Sequence, residues 1–389
     1  MDQLQFQKVK ELLDLADDIE VIKQHVTSLS EVINNQRIDP TRTGLDNLGN
    51  TCFMNSILQC LRYVTILTQQ LMDHKTQLTL MNTLKNMNQT KVGQQGLHIL
   101  LLINYMKIVD MMNSGNNELC PMCFRILLGR IDDQFNNPSQ QDSHEFLVTL
   151  LQSFHDSLST SVIYEIHGPV VTDLDQQIHK AHLDWIAYYK NKNSMIVDLF
   201  GGQLRTEIRC VKCQNVTSRY DPIMIIDLPI VLAQHVDLYQ CFEHSVAIEQ
   251  SAIDNLYLCE VCHTRTQALQ QRTLWKLPPV LVIKLTRFQQ HFINGTPHFK
   301  KIDQLVDYPL RNLDLSPFVS YPLQSNKKYH LYAICCHSGA IGLGHYYSVC
   351  YDPKQDQWIN YSDTTISSCH PESLNDAYMF FYVRNDLVF

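Results

Sequence analysis

A chain of 389 residues is long enough for one large domain or two to three ordinary ones, so burying a full core is within reach. Apolar residues at 45% and charged residues at 18% match soluble globular averages, and 13 Gly and 14 Pro are too few for a low-complexity scaffold. A net charge of −8 without a Lys/Arg run argues against neutralising many phosphates, which excludes nucleic acid as a first partner. The N-terminus lacks the basic-then-apolar layout of a signal peptide, and the longest apolar run, Leu97 to Met106, is interrupted by His98 and Asn104. The expectation is a soluble intracellular protein with no membrane partner.

Residues 1 to 42 place Leu4, Val9, Leu12, Leu13, Ile19, Val21 and Ile22 at roughly helical spacing and end at Asp39-Pro40, where helix continuation is disfavoured. This predicts an amphipathic helical segment, either packed on the main domain or offered to a protein partner. From Thr43 the pattern turns to loop chemistry, and then to a helix with Ile57, Leu58 and Leu61 on one face, so Cys52 sits where a loop enters a helix. The stretch from about 63 to 155 reads as helical. Its last helix, carrying Phe146, Leu147, Leu150, Leu151 and Phe154, has a start signal in Ser139-Gln140-Gln141-Asp142. After about 195 the chain reads as strands at Gln203–Arg209, Val280–Leu285, Tyr329–Cys336, Tyr346–Tyr351, Gln357–Tyr361 and Met379–Val383. Helices first and strands later predict an α+β fold.

Thirteen cysteines, in a reducing compartment, are thiols, metal ligands or a nucleophile. At the first turn of a helix, Cys52 faces the positive end of the dipole, which favours the thiolate that attacks carbonyl carbon; by itself, a single cysteine is more often a buried small hydrophobe. Backbone N–H groups of that turn and the amide of Asn47 are candidate oxyanion donors. Seventeen histidines leave many candidate bases. His345 lies between a Gly-rich turn and a strand, and a second strand ending at Ser362-Asp363 can bring an orienting group to it. Cys210-x-x-Cys213 and Cys259-x-x-Cys262 are two knuckles able to close a four-thiolate zinc site, although residues 214 to 258 between them exceed the spacing of a simple zinc ribbon. Cys120 and Cys123 share the local spacing, lack a second pair, and read as ordinary thiols.

The run Gly44-Leu45-Asp46-Asn47-Leu48-Gly49-Asn50-Thr51-Cys52-Phe53-Met54-Asn55-Ser56-Ile57-Leu58-Gln59-Cys60-Leu61 resembles the Cys box of the ubiquitin-specific proteases. Gly344-His345-Tyr346, followed by Trp358, Tyr361 and Asp363, is similar to that family's His box, and Gln140-Gln141-Asp142-Ser143-His144-Glu145-Phe146-Leu147 to a third element. With Phe200-Gly201-Gly202, Asp227-Leu228-Pro229, Lys284 to Phe288, Asp307-Tyr308-Pro309 and Leu313-Asp314-Leu315, the resemblance covers about residues 43 to 385. It implies a papain-like cysteine peptidase with a helical thumb, a β-sheet palm and zinc-bearing fingers at about 203–275. It further implies hydrolysis of the isopeptide or peptide bond after ubiquitin's terminal glycine, with ubiquitin and ubiquitinated proteins as partners. By resemblance, Cys52 is the nucleophile, His345 the base, Asn47 an oxyanion donor, and Gln141, Asp142 and Glu145 hold the Arg-containing ubiquitin tail. Cys210, Cys213, Cys259 and Cys262 are the structural zinc ligands. Ser362 stands where the family ordinarily has Asp or Asn, as in one branch of it, so the third member is Asp363, the weightier charge, or Ser362 as a hydrogen-bond partner. His144 is a rival base by proximity to charge, but its family equivalent is not catalytic. Rival readings are the same fold acting on another ubiquitin-like modifier, a catalytically silent ubiquitin-binding module, and a zinc-ribbon nucleic-acid binder.

Overall fold

The computed structural model describes residues 19–34, 42–87, 92–115, 118–251, 256–293, 296–340, 342–372 and 374–387. Of the N-terminal segment, the apolar positions Leu4 to Leu13 lie outside these residues. The helix Ile19–Asn34 buries Ile22, Val26, Leu29 and Ile33, a stripe at helical spacing, against the helices His74–Lys85 and Val92–Asn113. Gln77 ties it down by donating to Val26 O at 2.9 Å and Ser30 Oγ at 2.8 Å. Of the two roles open to this segment, packing on the main domain is the one its described helix, Ile19–Asn34, adopts.

The thumb is built from Cys52–Arg62, Thr65–Leu71, His74–Lys85, Val92–Asn113, Met122–Ile131 and Ser143–Leu158. Val92–Asn113 carries its apolar residues around most of its circumference, and from Leu97 to Met112 all of them but Met111 are buried, as expected of a helix with neighbours on most sides. The capping signal is displaced from its predicted place. Asp142, not Ser139, caps the last helix by accepting from His144 N at 2.8 Å, because the helix begins at Ser143 and Ser139 lies in the turn before it, where its N–H bonds the Asn137 side chain.

The palm is an eight-stranded sheet. Seven strands run in the order Thr365–Cys369, Gln357–Ser362, His345–Asp352, Lys328–Ser338, Ala377–Arg384, Val280–Leu285, Ile225–Leu228, antiparallel until the last parallel pair, and the eighth, Leu313–Asp314, pairs with Lys328–Ser338 off this path. The central strands are apolar without alternation because both faces are covered. Tyr332, Cys335, Cys350 and Phe381 join the thumb core, while Leu331, Ile334, Val349 and Phe380 join a second core with Leu238, Phe242 and Phe318. The fingers are a separate four-stranded sheet, with Gly202–Cys210 at its centre between Val216–Ile223 and Ala268–Lys276. No described helix is long and apolar enough to cross a membrane.

Candidate active site

Cys52 opens a helix that is buried along its whole length and packs on the strand His345–Asp352, so the thumb presents the sulfur and the palm presents the imidazole. The thiol is only 3% exposed. Burial, the largest influence on it, opposes ionisation; hydrogen bonds from the His345 ring, the Tyr346 N–H and Gln140 together outweigh it and hold the thiol below its ordinary range. The same pairing works in reverse on His345. Its hydrogen bond with Cys52 outweighs the cost of burial, and the charges of Cys52 and Asp363 add to it, so the imidazole is raised above its ordinary value. The two groups therefore favour the thiolate–imidazolium pair.

Ser362 and Asp363 divide the work expected of one acid. Ser362 Oγ lies 2.8 Å from His345 Nε2, which leaves the other ring nitrogen for the thiol. Asp363 adopts φ +53° in the tight connection to Thr365–Cys369, and its carboxylate is taken by two asparagines rather than by the ring. It accepts from Asn47 Nδ2 at 2.9 Å and Asn55 Nδ2 at 2.8 Å. Asp363 thus acts on the imidazole through charge, and the hydrogen-bond partner is the serine.

Asn47 is the keystone of the loop before Cys52. Its Oδ1 accepts from Gly49 N and Thr51 N, both at 3.1 Å, while one amide hydrogen goes to Asp363 and the second is uncommitted in an exposed position. The first-turn N–H groups of the Cys52 helix lack intrahelical partners by construction.

The three residues read as a substrate grip are not alike. Gln141 lies before the helix that carries Glu145, and it donates to Asn137 Oδ1 at 3.0 Å. Asp142 spends both oxygens on the Tyr378 hydroxyl, at 3.0 and 2.9 Å, besides capping its helix; burial raises its carboxyl against those hydrogen bonds. Glu145 is exposed. His144 faces Lys284 Nζ at 3.4 Å and is lowered, first by burial and then by that lysine; Cys52 is served by another histidine.

Sequence reasoning passed over Gln140, whose Nε2 donates to Gly344 O at 2.6 Å and reaches Cys52 Sγ at 3.6 Å. The signal was the paired glutamine, of which the second was chosen. Asn55 was also missed, lying within the Cys run where only the flanking apolar residues were weighed.

In the fingers, Cys210, Cys213, Cys259 and Cys262 bring their sulfurs within 4.8 Å of one another, with Cys213–Cys259 at 3.5 Å and Cys210–Cys262 at 3.9 Å. Four sulfurs at a tetrahedral zinc distance stand about 3.8 Å apart, so this set fits a four-coordinate metal. Cys120 and Cys123 form no ligand group with other described residues.

The sequence matches the ubiquitin carboxyl-terminal hydrolase family over residues 43–382. The fruit fly ubiquitin carboxyl-terminal hydrolase Usp2 is 31% identical, covering 88% of this chain and 34% of its own length. Human ubiquitin carboxyl-terminal hydrolase 2 is 30% identical, covering 87% and 54%. The chain thus spans about a third to a half of these relatives. Among solved structures, the SAGA DUB module of Ubp8, Sgf11, Sus1 and Sgf73 bound to monoubiquitin aligns with a TM-score of 0.63 at 27% identity, over 89% of this chain and 69% of that one. With a thumb, palm and fingers arranged around a paired cysteine and histidine, this chain belongs to the ubiquitin carboxyl-terminal hydrolase family.

Proposed function

We propose that the chain is an intracellular deubiquitinating thiol protease, hydrolysing the isopeptide or peptide bond at the C-terminal glycine of ubiquitin through a catalytic domain at residues 43–385. The observation that carries this reading is the hydrogen-bonded series Cys52, His345, Ser362, with the thiol lowered and the imidazole raised. The Cys52 thiolate adds to the glycine carbonyl carbon, and the oxyanion takes first-turn N–H groups and the free hydrogen of Asn47. His345 gives its proton to the departing lysine amine as the C–N bond breaks. Water then adds to the thioester, returning a proton to His345, and the C–S electron pair goes back to sulfur.

The basic ubiquitin tail meets exposed Glu145, while Asp142 and Gln141 serve it indirectly by fixing the loop and helix that carry the cleft wall. Cys210, Cys213, Cys259 and Cys262 hold zinc as a structural ion, consistent with an all-thiolate donor set at tetrahedral spacing. Ubiquitin in the aligned DUB module supports the substrate class.

The test is reaction with a ubiquitin C-terminal electrophile alongside turnover of ubiquitin conjugates. Wild type should be labelled and turn over, and Cys52→Ala should do neither while keeping its melting temperature. Labelling of Cys52→Ala overturns the nucleophile. Ubiquitin binding by wild type without turnover indicates a silent binding module, and preference for another modifier in a probe panel indicates the sister activity.

A further inference from the structure

One amide sits where the two lobes meet over the nucleophile. Gln140 belongs to the thumb, two residues before its last helix cap, and Gly344 belongs to the palm, next to His345. The single nitrogen Nε2 has two hydrogens, and it reaches Gly344 O at 2.6 Å and Cys52 Sγ at 3.6 Å. The first, shorter bond fixes where the second hydrogen points.

Both ends of this bridge are anchored. On the thumb side, Asn137 Oδ1 accepts from Ser139 N at 2.8 Å and Gln141 Nε2 at 3.0 Å, and Arg125 donates to Asn137 O at 2.9 Å. Asn50, two residues before Cys52, donates to Pro138 O at 2.8 Å, so this turn and the Cys52 loop move as one piece. On the palm side, Gly344 lies flat against the buried His337 ring. A Cβ there would run into the ring and stand 2.6 Å from Ser338 O, so the carbonyl is pinned from behind. Lys301 Nζ donates to His337 O at 2.6 Å and Gly339 O at 3.1 Å, closing the same turn.

We propose that Gln140 is a catalytic residue of the deubiquitinating reaction, a pre-aimed donor that holds the Cys52 sulfur as thiolate before attack and again when the C–S bond of the thioester breaks. It rests on the proposed function for its substrate, but its action on sulfur does not. When the thiolate forms, the thiol proton passes to His345 and the sulfur lone pair accepts from Gln140. When the thioester is hydrolysed, the C–S pair returns to the same place, and a better-stabilised thiolate leaves faster.

The test measures alkylation of Cys52 by iodoacetamide against pH, read by mass spectrometry of its peptide, in wild type, Gln140→Ala and Gln140→Asn. The shorter amide of the second variant keeps polarity but falls short of the sulfur. Both variants should shift the alkylation inflection to higher pH, reducing the rate about tenfold below it for each unit moved. The alkaline plateau should hold or rise, because a less stabilised thiolate is the stronger nucleophile. A purely structural role would lower the plateau instead. With ubiquitin conjugates, kcat should fall by a similar factor. An unmoved inflection in both folded variants overturns the proposal. Because alkylation needs no ubiquitin, a shifted inflection in a protein that fails to turn over ubiquitin leaves Gln140 in place and removes only the deubiquitinase reading.

Discussion

Ser362 and Asp363 stand side by side in the chain and act on His345 by different means, so their substitutions should separate. Ser362→Ala removes the hydroxyl oxygen that accepts from the imidazolium Nε2–H, and at the low end of the ~1.5–3 kcal/mol for a bond to a charged group should cost about tenfold in kcat/KM. Asp363→Ala strips Asn47 and Asn55 of a charged acceptor, at ~1.5–3 kcal/mol for each bond, and should cost about 100-fold. The pH profile tells them apart. Activity rises through the lowered Cys52 value on the acid side and falls through the raised His345 value on the alkaline side, since the thiolate and the imidazolium are both required. The Asp363 charge favours imidazolium, so Asp363→Ala should pull the alkaline limb toward neutrality, while Ser362→Ala, losing no charge, should leave it. Equal limbs in the two variants would remove Asp363 from the electrostatics of the site. The sequence made Cys52 and His345 legible because long local runs surround them. It left Ser362 and Asp363 undivided because the asparagines that claim the Asp363 carboxylate, Asn47 and Asn55, meet it only in the fold, from the far end of the chain.

At the scale of elements, the strands of the palm were readable as apolar runs, whereas the helix Asp173–Tyr189 went unread. Its capping box at Thr172 and Asp175 and its buried positions Ala181, Trp185 and Tyr189 are in the sequence, but its first half is mostly polar and the exposed Leu183 and Tyr188 blur the stripe in the second. Close approach between elements is harder still to read. Leu45 N donates to Asp363 O at 3.0 Å, laying the segment Gly44–Leu45 against the turn that carries the site's acid. A Cβ on Gly44 would stand 2.6 Å from Thr364 Cα and 2.9 Å from Thr364 O, both backbone atoms that cannot rotate aside. Gly44→Ala should therefore destabilise by about 1–3 kcal/mol in denaturant unfolding and lower turnover in the direction of Asp363→Ala, although it lies eight residues from the nucleophile. An unchanged unfolding midpoint with unchanged turnover would show that the turn yields freely and that the glycine is not required for contact.

Across the whole molecule, stability is unevenly supplied, and this decides what a metal held by the four cysteines would do. Thumb and palm share two extended cores; the finger sheet joins the second of them through Leu204, Ile223 and Leu274 and adds a small cluster of Tyr220 and Trp275 with Ala181, while Val211, Val216, Leu258 and Val261 near the four cysteines are exposed. Cys259 and Cys262 lie on a connection bounded only by the two-residue strands Tyr257–Leu258 and Arg265–Thr266, too short to hold themselves. A sheet end without its own core needs a cross-link, and structural zinc supplies ~10–16 kcal/mol in small peptides, comparable to the ~5–15 kcal/mol stability of a whole domain. Cys259→Ser, or removal of metal by a chelator, should therefore unfold the far end of the fingers and leave the rest. Hydrogen exchange should show loss of protection in Gly202–Cys210 and Ala268–Lys276 near the cysteines while Cys52–Arg62 and Lys328–Ser338 keep theirs. Alkylation of Cys52 by iodoacetamide should proceed at the wild-type rate because its partners all lie in thumb and palm. Loss of Cys52 reactivity together with the fingers would instead mean that the three parts unfold as one unit, and that the metal stabilises the active site as well as the fingertip.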